Sequence, residues 1–176
     1  TEVVREAASH VFIPMTVGGG VRSVDDALNL LRCGADKIAV NTAIVYNSDL
    51  LSEMSKVLGS QSVIASIQVK SKGNGKWEVF VDNGREQTGI DAVYWARRVE
   101  ELGAGELLVT SVDRDGTKQN FDTEIIRQIS EAVSIPVIAS GGAKAAQDVT
   151  NIIKNNGASA VAVATSLHYG NLTIEE

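Results

Sequence analysis

Basic clusters, long apolar runs and paired cysteines are all missing from this chain, and each absence removes a class of function. The 16 Lys and Arg residues are scattered among 22 Asp and Glu, for a formal charge of -6, so nothing is offered to a nucleic acid backbone. No apolar run approaches the roughly 20 residues that a bilayer-spanning helix needs. The opening TEVVREAASH carries charges where a signal peptide would be apolar. The single cysteine, Cys33, cannot form an internal disulfide, which fits a reducing compartment. These readings predict a cytoplasmic protein with small-molecule or protein partners, no nucleic acid and no membrane. No cofactor and no metal are expected. With 176 residues, 44% of them hydrophobic, the chain can bury a sizeable core, and a single domain over residues 1–176 is the default.

What is present is alternation. Short β-branched runs, FIPMTV, DKIAVN, SVIASIQV, ELLVTSV, IPVIAS and SAVAVATS, start near residues 12, 36, 62, 106, 135 and 159. They lack strict polar alternation, as strands of a parallel sheet covered on both faces do. Between them lie SVDDALNLLRCGA, NSDLLSEMSKVLG, GIDAVYWARRVEELGAG, DTEIIRQISEAVS and AAQDVTNIIKNNGA, with apolar residues at helical spacing. Asn47 or Ser48, Asp91, and Asp122 or Thr123 stand where N-caps belong; Gly34, Gly59, Gly103 and Gly157 stand where helices should stop. One interruption, KSKGNGKWEVFVDNGREQTG, carries the turn signals GNG and DNG and reads as a β-hairpin inserted after the third strand.

A block of this pattern occurs twice. Residues 13–43 align with 135–166, matching Ile-Pro, the Gly-Gly pair, Arg22 with Lys144, Asp26 with Asp148, Asn29 with Asn151, Gly34-Ala35 with Gly157-Ala158 and Thr42 with Thr165. A repeat spanning four βα units points to a ring of eight closed from two halves, the (β/α)8 or TIM barrel. The expected fold is therefore an incomplete barrel of six βα units, corresponding to units three to eight of the parent. It should leave two sheet edges unpaired, which favours self-association.

Loops after barrel strands carry chemistry, and main-chain N–H groups at glycine turns can hold anions. Alone, Gly18, Gly19, Gly20, Gly141 and Gly142 would only turn the chain from strand to helix. Duplicated, with Asn41-Thr42 and Ala164-Thr165 at matching neighbouring strand ends, they point to a ligand with a phosphate at each end. The segment LLVTSVDRDGTKQNFD adds Asp113, Asp115, Gly116, Thr117 and Asp122 after a buried strand; Asp122 also reads as a helix cap.

TVGGGVRS, GADKIAVNTA, GSQSV, GAGELLVTSVDRDGT, IPVIASGG and AVAVATSLHY together resemble the cyclase subunit of imidazole glycerol phosphate synthase, from histidine biosynthesis. The resemblance implies a lyase that takes ammonia from a glutaminase subunit. With it the enzyme cleaves and cyclises a bisphosphorylated formimino-aminoimidazole-carboxamide ribonucleotide. It implies that Gly20, Asn41 and Thr42 hold one phosphate, and that Asp115, Gly116, Gly142, Ala143, Ala164 and Thr165 hold the other. Thr110, Ser111 and Asp122 would line the substrate cleft. Lys37 and Glu106 would belong to the charged gate through which ammonia enters, or would form a salt bridge that only closes one end of the barrel.

The resemblance fails at the chemistry. Family members use two aspartates as general acid and base, at the ends of the first and fifth strands. The first strand has no counterpart here, and Gln68 occupies the fifth-strand position. An amide does not exchange a proton near neutral pH, whereas acid-base assistance contributes about 10² to 10⁴ in rate, so this chain is expected to be an impaired cyclase. Two alternatives follow: a related barrel passing ammonia from a glutaminase to sugar amidation in surface polysaccharide synthesis, and a non-catalytic, self-associating scaffold.

Overall fold

The computed structural model describes residues 1–174; Glu175 and Glu176, which close the expected domain, lie outside the described residues. In chain order the elements are α1 (Glu2–His10), β1 (Thr16–Gly18), α2 (Val24–Arg32), β2 (Lys37–Val40), α3 (Thr42–Tyr46), α4 (Asp49–Leu58), β3 (Val63–Gly73), β4 (Lys76–Val81), β5 (Glu86–Asp91), α5 (Ala92–Glu101), β6 (Glu106–Ser111), α6 (Thr123–Ala132), β7 (Val137–Ser140), α7 (Ala146–Asn156), β8 (Ala160–Ala162) and α8 (Thr165–His168). Six of the strands follow the order β1-β2-β3-β6-β7-β8, that of successive βα units in a (β/α)8 fold, so the expected class holds. Among the described residues no helix is long and apolar enough to cross a membrane.

The chain forms two compact units, one of residues 1–66 and 99–106, the other of residues 67–98 and from 107 onward. In the first, β1, β2 and the start of β3 pair in parallel. Ile38, Val40, Val63 and Ala65 on these strands are buried with Ala27, Ile44, Leu51 and Met54 of the helices. In the second, β6, β7 and β8 pair in parallel. There Ile125, Ile126 and Ile129 are the buried stripe of α6, each side chain contributing about 1.5–3 kcal/mol by leaving water. Leu107, Val109, Val137 and Ala139 are the buried strand residues.

Local chemistry moved several expected boundaries. The strand expected from Phe12 begins only at Thr16, because Pro14 has no N–H to give to a ladder; Phe12 and Ile13 are 94% and 73% exposed. The same reasoning starts β7 after Pro136. The inserted hairpin is a three-stranded meander: β3 runs on into it, β4 pairs antiparallel with β3, and β5 pairs with β4. Both turn signals make turns, with Asn74, Asp82 and Asn83 left-handed beside Gly73, Gly75 and Gly84. The third strand runs through Gly89 and Ile90 to Asp91, which caps the next helix as expected by accepting from the Tyr94 N–H at 2.9 Å. The short helices α3 and α8 were not expected, and neither was α1, which buries none of its residues.

Two expected caps fail. Ser48 precedes α4 without a side-chain cap bond. Asp122 precedes α6, but its carboxylate does not cap that helix.

Candidate functional site

The duplicated sequence block is duplicated in geometry. Gly18 of β1 is in register with Ala39 of β2, and Ser140 of β7 with Ala162 of β8. Two residues beyond each of those partners stand Gly20 and Asn41 in the first unit, Gly142 and Ala164 in the second. In the helix that follows each glycine turn, a first-turn aspartate accepts from the main chain before it. Asp26 accepts from the Arg22 N–H at 3.0 Å, and Asp148 from the Lys144 and Ala145 N–H groups at 3.1 and 2.9 Å. A carboxylate in the first turn thus reaches back to satisfy donors that have no intrahelical acceptor. The Arg22 N–H, and after it the Ser23 hydroxyl, hold the Asp26 carboxyl below the usual carboxylate range.

Glycine is required in these turns for two different reasons. Gly20 has φ +72° with open space where a side chain would go, so the need is conformational. Gly142 has φ +99°, and a Cβ there would lie 2.3 Å from the Asn120 carbonyl. The loop after β6 therefore packs directly on the loop after β7.

That packing closes a cavity of about 30 Å3 lined by Asp115, Gly116, Gly142, Ala143, Ala164 and Thr165. All six residues assigned to one phosphate are thereby brought together. The volume suits a few oxygen-sized atoms, a head group rather than a whole metabolite. Among the described residues no backbone acceptor takes the N–H of Gly142, Ala143 or Ala164, so these donors are available to a ligand. The buried Ser166 hydroxyl donates to the Ala143 carbonyl at 2.5 Å, fixing that peptide. Sequence reasoning missed Ser166, and also Lys118, which lines the same cavity.

Other assigned residues lie elsewhere. Asp122 Oδ2 accepts from Trp77 Nε1 at 2.8 Å and from the Ser111 hydroxyl at 3.5 Å; these bonds take the place of the expected cap. Asp122 faces a separate recess of about 490 Å3 shared with Ser71, Trp77, Asp113 and Arg114. Asp113 accepts from the Ser71 N–H at 2.7 Å, so meander and loop are joined twice. Trp77, 45 residues from Asp122 in sequence, could not have been singled out by spacing. Thr110 is in register with Ser140. Gln68 is in register with Phe80, where β3 begins its antiparallel pairing with β4. In the first unit, Asn41 precedes α3 and Thr42 opens it. Lys37 and Glu106 open β2 and β6 and form a part-buried ion pair.

Comparison with known proteins bears on what this geometry serves. The family model described as "Histidine biosynthesis protein" matches residues 1–173. The imidazole glycerol phosphate synthase subunit HisF of Legionella pneumophila is 58% identical over 142 residues, 81% of this chain and 67% of the relative. The chain belongs to the HisF family. The HisF subunits of Alkaliphilus metalliredigens and Bacillus cereus are 46% and 48% identical over 173 residues, in each case 98% of this chain and 69% of the relative. Membership places the chain with the cyclase subunit of imidazole glycerol phosphate synthase, in histidine biosynthesis.

Proposed function

We propose that the chain binds a bisphosphorylated formimino-aminoimidazole-carboxamide ribonucleotide and receives ammonia from a glutaminase subunit. One phosphate is held by Gly142, Ala143, Ala164 and Thr165 with Asp115 and Gly116, the other by Gly20, Asn41 and Thr42. Thr110, Ser111 and Asp122 line the substrate cleft. The observation that carries the reading is the matched register of the two glycine turns, since equivalent main-chain donors suit chemically equivalent groups. Lys37 and Glu106 act at the ammonia entrance. The chain works in the cytoplasm and associates with copies of itself through the outer edges of β1 and β8.

Gln68 limits the chemistry. It can orient substrate by hydrogen bonding but moves no proton, so ammonia-dependent turnover falls short of an aspartate-bearing relative by about 10² to 10⁴. The same residue favours a second reading, ammonia transfer to sugar amidation, which needs a conduit and no acid-base pair.

Titration calorimetry tests the binding, with the bisphosphorylated ribonucleotide and its dephosphorylated counterpart compared on the same preparation. Phosphate-dependent binding is expected, and its absence sinks the reading. Turnover with ammonium salts is expected to be marginal, with Gln68→Asp raising it. Turnover of the unaltered chain at rates ordinary for enzymes would show that Gln68 does not limit it.

A further inference from the structure

The cavity where the loops after β6, β7 and β8 meet is lined by Asp115 and Lys118 together with Gly142, Ala143 and Ala164. Lys118 is the one cationic residue in that lining among the described residues. A phosphate monoester entering beside Asp115 meets a like charge, which opposes binding unless a cation offsets it. The loop is built to present that cation. The Asp115 N–H donates to the Ser111 carbonyl at 2.9 Å and the Thr117 N–H to the Arg114 carbonyl at 3.0 Å. Arg114 Nη1 donates to the Gln119 carbonyl at 3.1 Å. These bonds bracket a left-handed backbone at Lys118, φ +57°, a conformation that side-chain-bearing residues rarely adopt. Its ammonium lies 5.7 Å from the ring centroid of Tyr169, which follows α8, within the range of cation–π attraction.

We propose that Lys118 is the counter-ion of this cavity and rests on Tyr169 until a phosphate monoester draws it in. The proposal depends on the cavity being a phosphate site, as argued above, and adds the residue that sets its affinity. A charge-assisted bond to phosphate replaces a weaker contact with an exposed ring, so the exchange is favourable.

Calorimetry with inorganic phosphate and with the bisphosphorylated ribonucleotide tests it on the full chain, at two ionic strengths. Lys118→Met is expected to weaken both ligands about tenfold or more, as loss of a hydrogen bond to a charged group does. Lys118→Arg should stay within about threefold of the parent, and Tyr169→Leu should bind roughly two- to fivefold tighter once the resting contact is gone. The Met variant should also lose part of the salt dependence. Equal affinity of parent and Lys118→Met overturns the counter-ion, and so does Lys118→Arg binding as weakly as Met. A parent that binds neither ligand overturns the phosphate site itself, which separates the two failures.

Discussion

At the scale of single residues, two glycines in equivalent turns differ in what they tolerate. Alanine at position 20 meets no neighbour and is strained only by its left-handed backbone, a cost of about 1–2 kcal/mol. Alanine at position 142 carries comparable strain and also drives a methyl group against the Asn120 carbonyl. Overpacking adds about 1–3 kcal/mol. We therefore expect Gly142→Ala to lower the midpoint of chemical denaturation clearly more than Gly20→Ala does. Equal shifts would mean that the loop after β6 yields freely. The glycine pairs stand out in the sequence, but the distinction between them does not, since Asn120 is 22 residues away from Gly142 and nothing in their spacing announces contact. Lys118 escaped notice for a related reason: its role depends on a backbone turn that lysine seldom makes, and its aromatic neighbour is Tyr169.

Among the elements, the meander shows how a polar pattern can conceal a buried charge. Glu78 on β4 is 4% exposed, and its carboxylate accepts from Lys72 Nζ and the Gly89 N–H, both at 2.5 Å. The Lys72 ammonium, followed by the Gly89 N–H, holds the Glu78 carboxyl below the usual carboxylate range. A carboxyl depressed on folding stabilises the protein fully above the ordinary glutamate value, and the contribution is lost as pH falls through the lower, folded value. Lys72→Met raises the folded value, so acid unfolding followed by circular dichroism should begin at a higher pH than in the parent. An unchanged acid transition would mean that Glu78 is held without Lys72. In sequence, the segment around KWEVFV reads as a hairpin, and nothing in it singles out Glu78. The residue is buried because β5, unforeseen as a strand, supplies the Gly89 N–H. The helices were easier to read, as α6 buries the Ile125, Ile126 and Ile129 stripe that its spacing implies. α1 buries nothing and gave no such signal.

For the molecule as a whole, alternation and the internal repeat conveyed the (β/α)8 class, because six short apolar strands need no knowledge of their loops to be ordered. Boundaries near Pro14 and Pro136 shifted for want of a donor, without altering that order. Among the described residues β1 and β8 end the strand order, each hydrogen-bonded to one neighbouring strand, and a strand edge left unpaired invites pairing with other chains. Sedimentation of the folded chain is expected to show species heavier than the monomer, in proportion to concentration; a monodisperse monomer across that range would contradict it.

The back-reaching carboxylates of Asp26 and Asp148 turn the internal duplication into a built-in calibration. One lies in each compact unit, and each accepts from the main chain just before an equivalent helix, Asp26 from the Arg22 N–H and Asp148 from those of Lys144 and Ala145. Replacing either by asparagine makes the identical chemical edit in two surroundings, so unequal fraying of α2 and α7, followed by amide exchange, would measure the surroundings and not the edit.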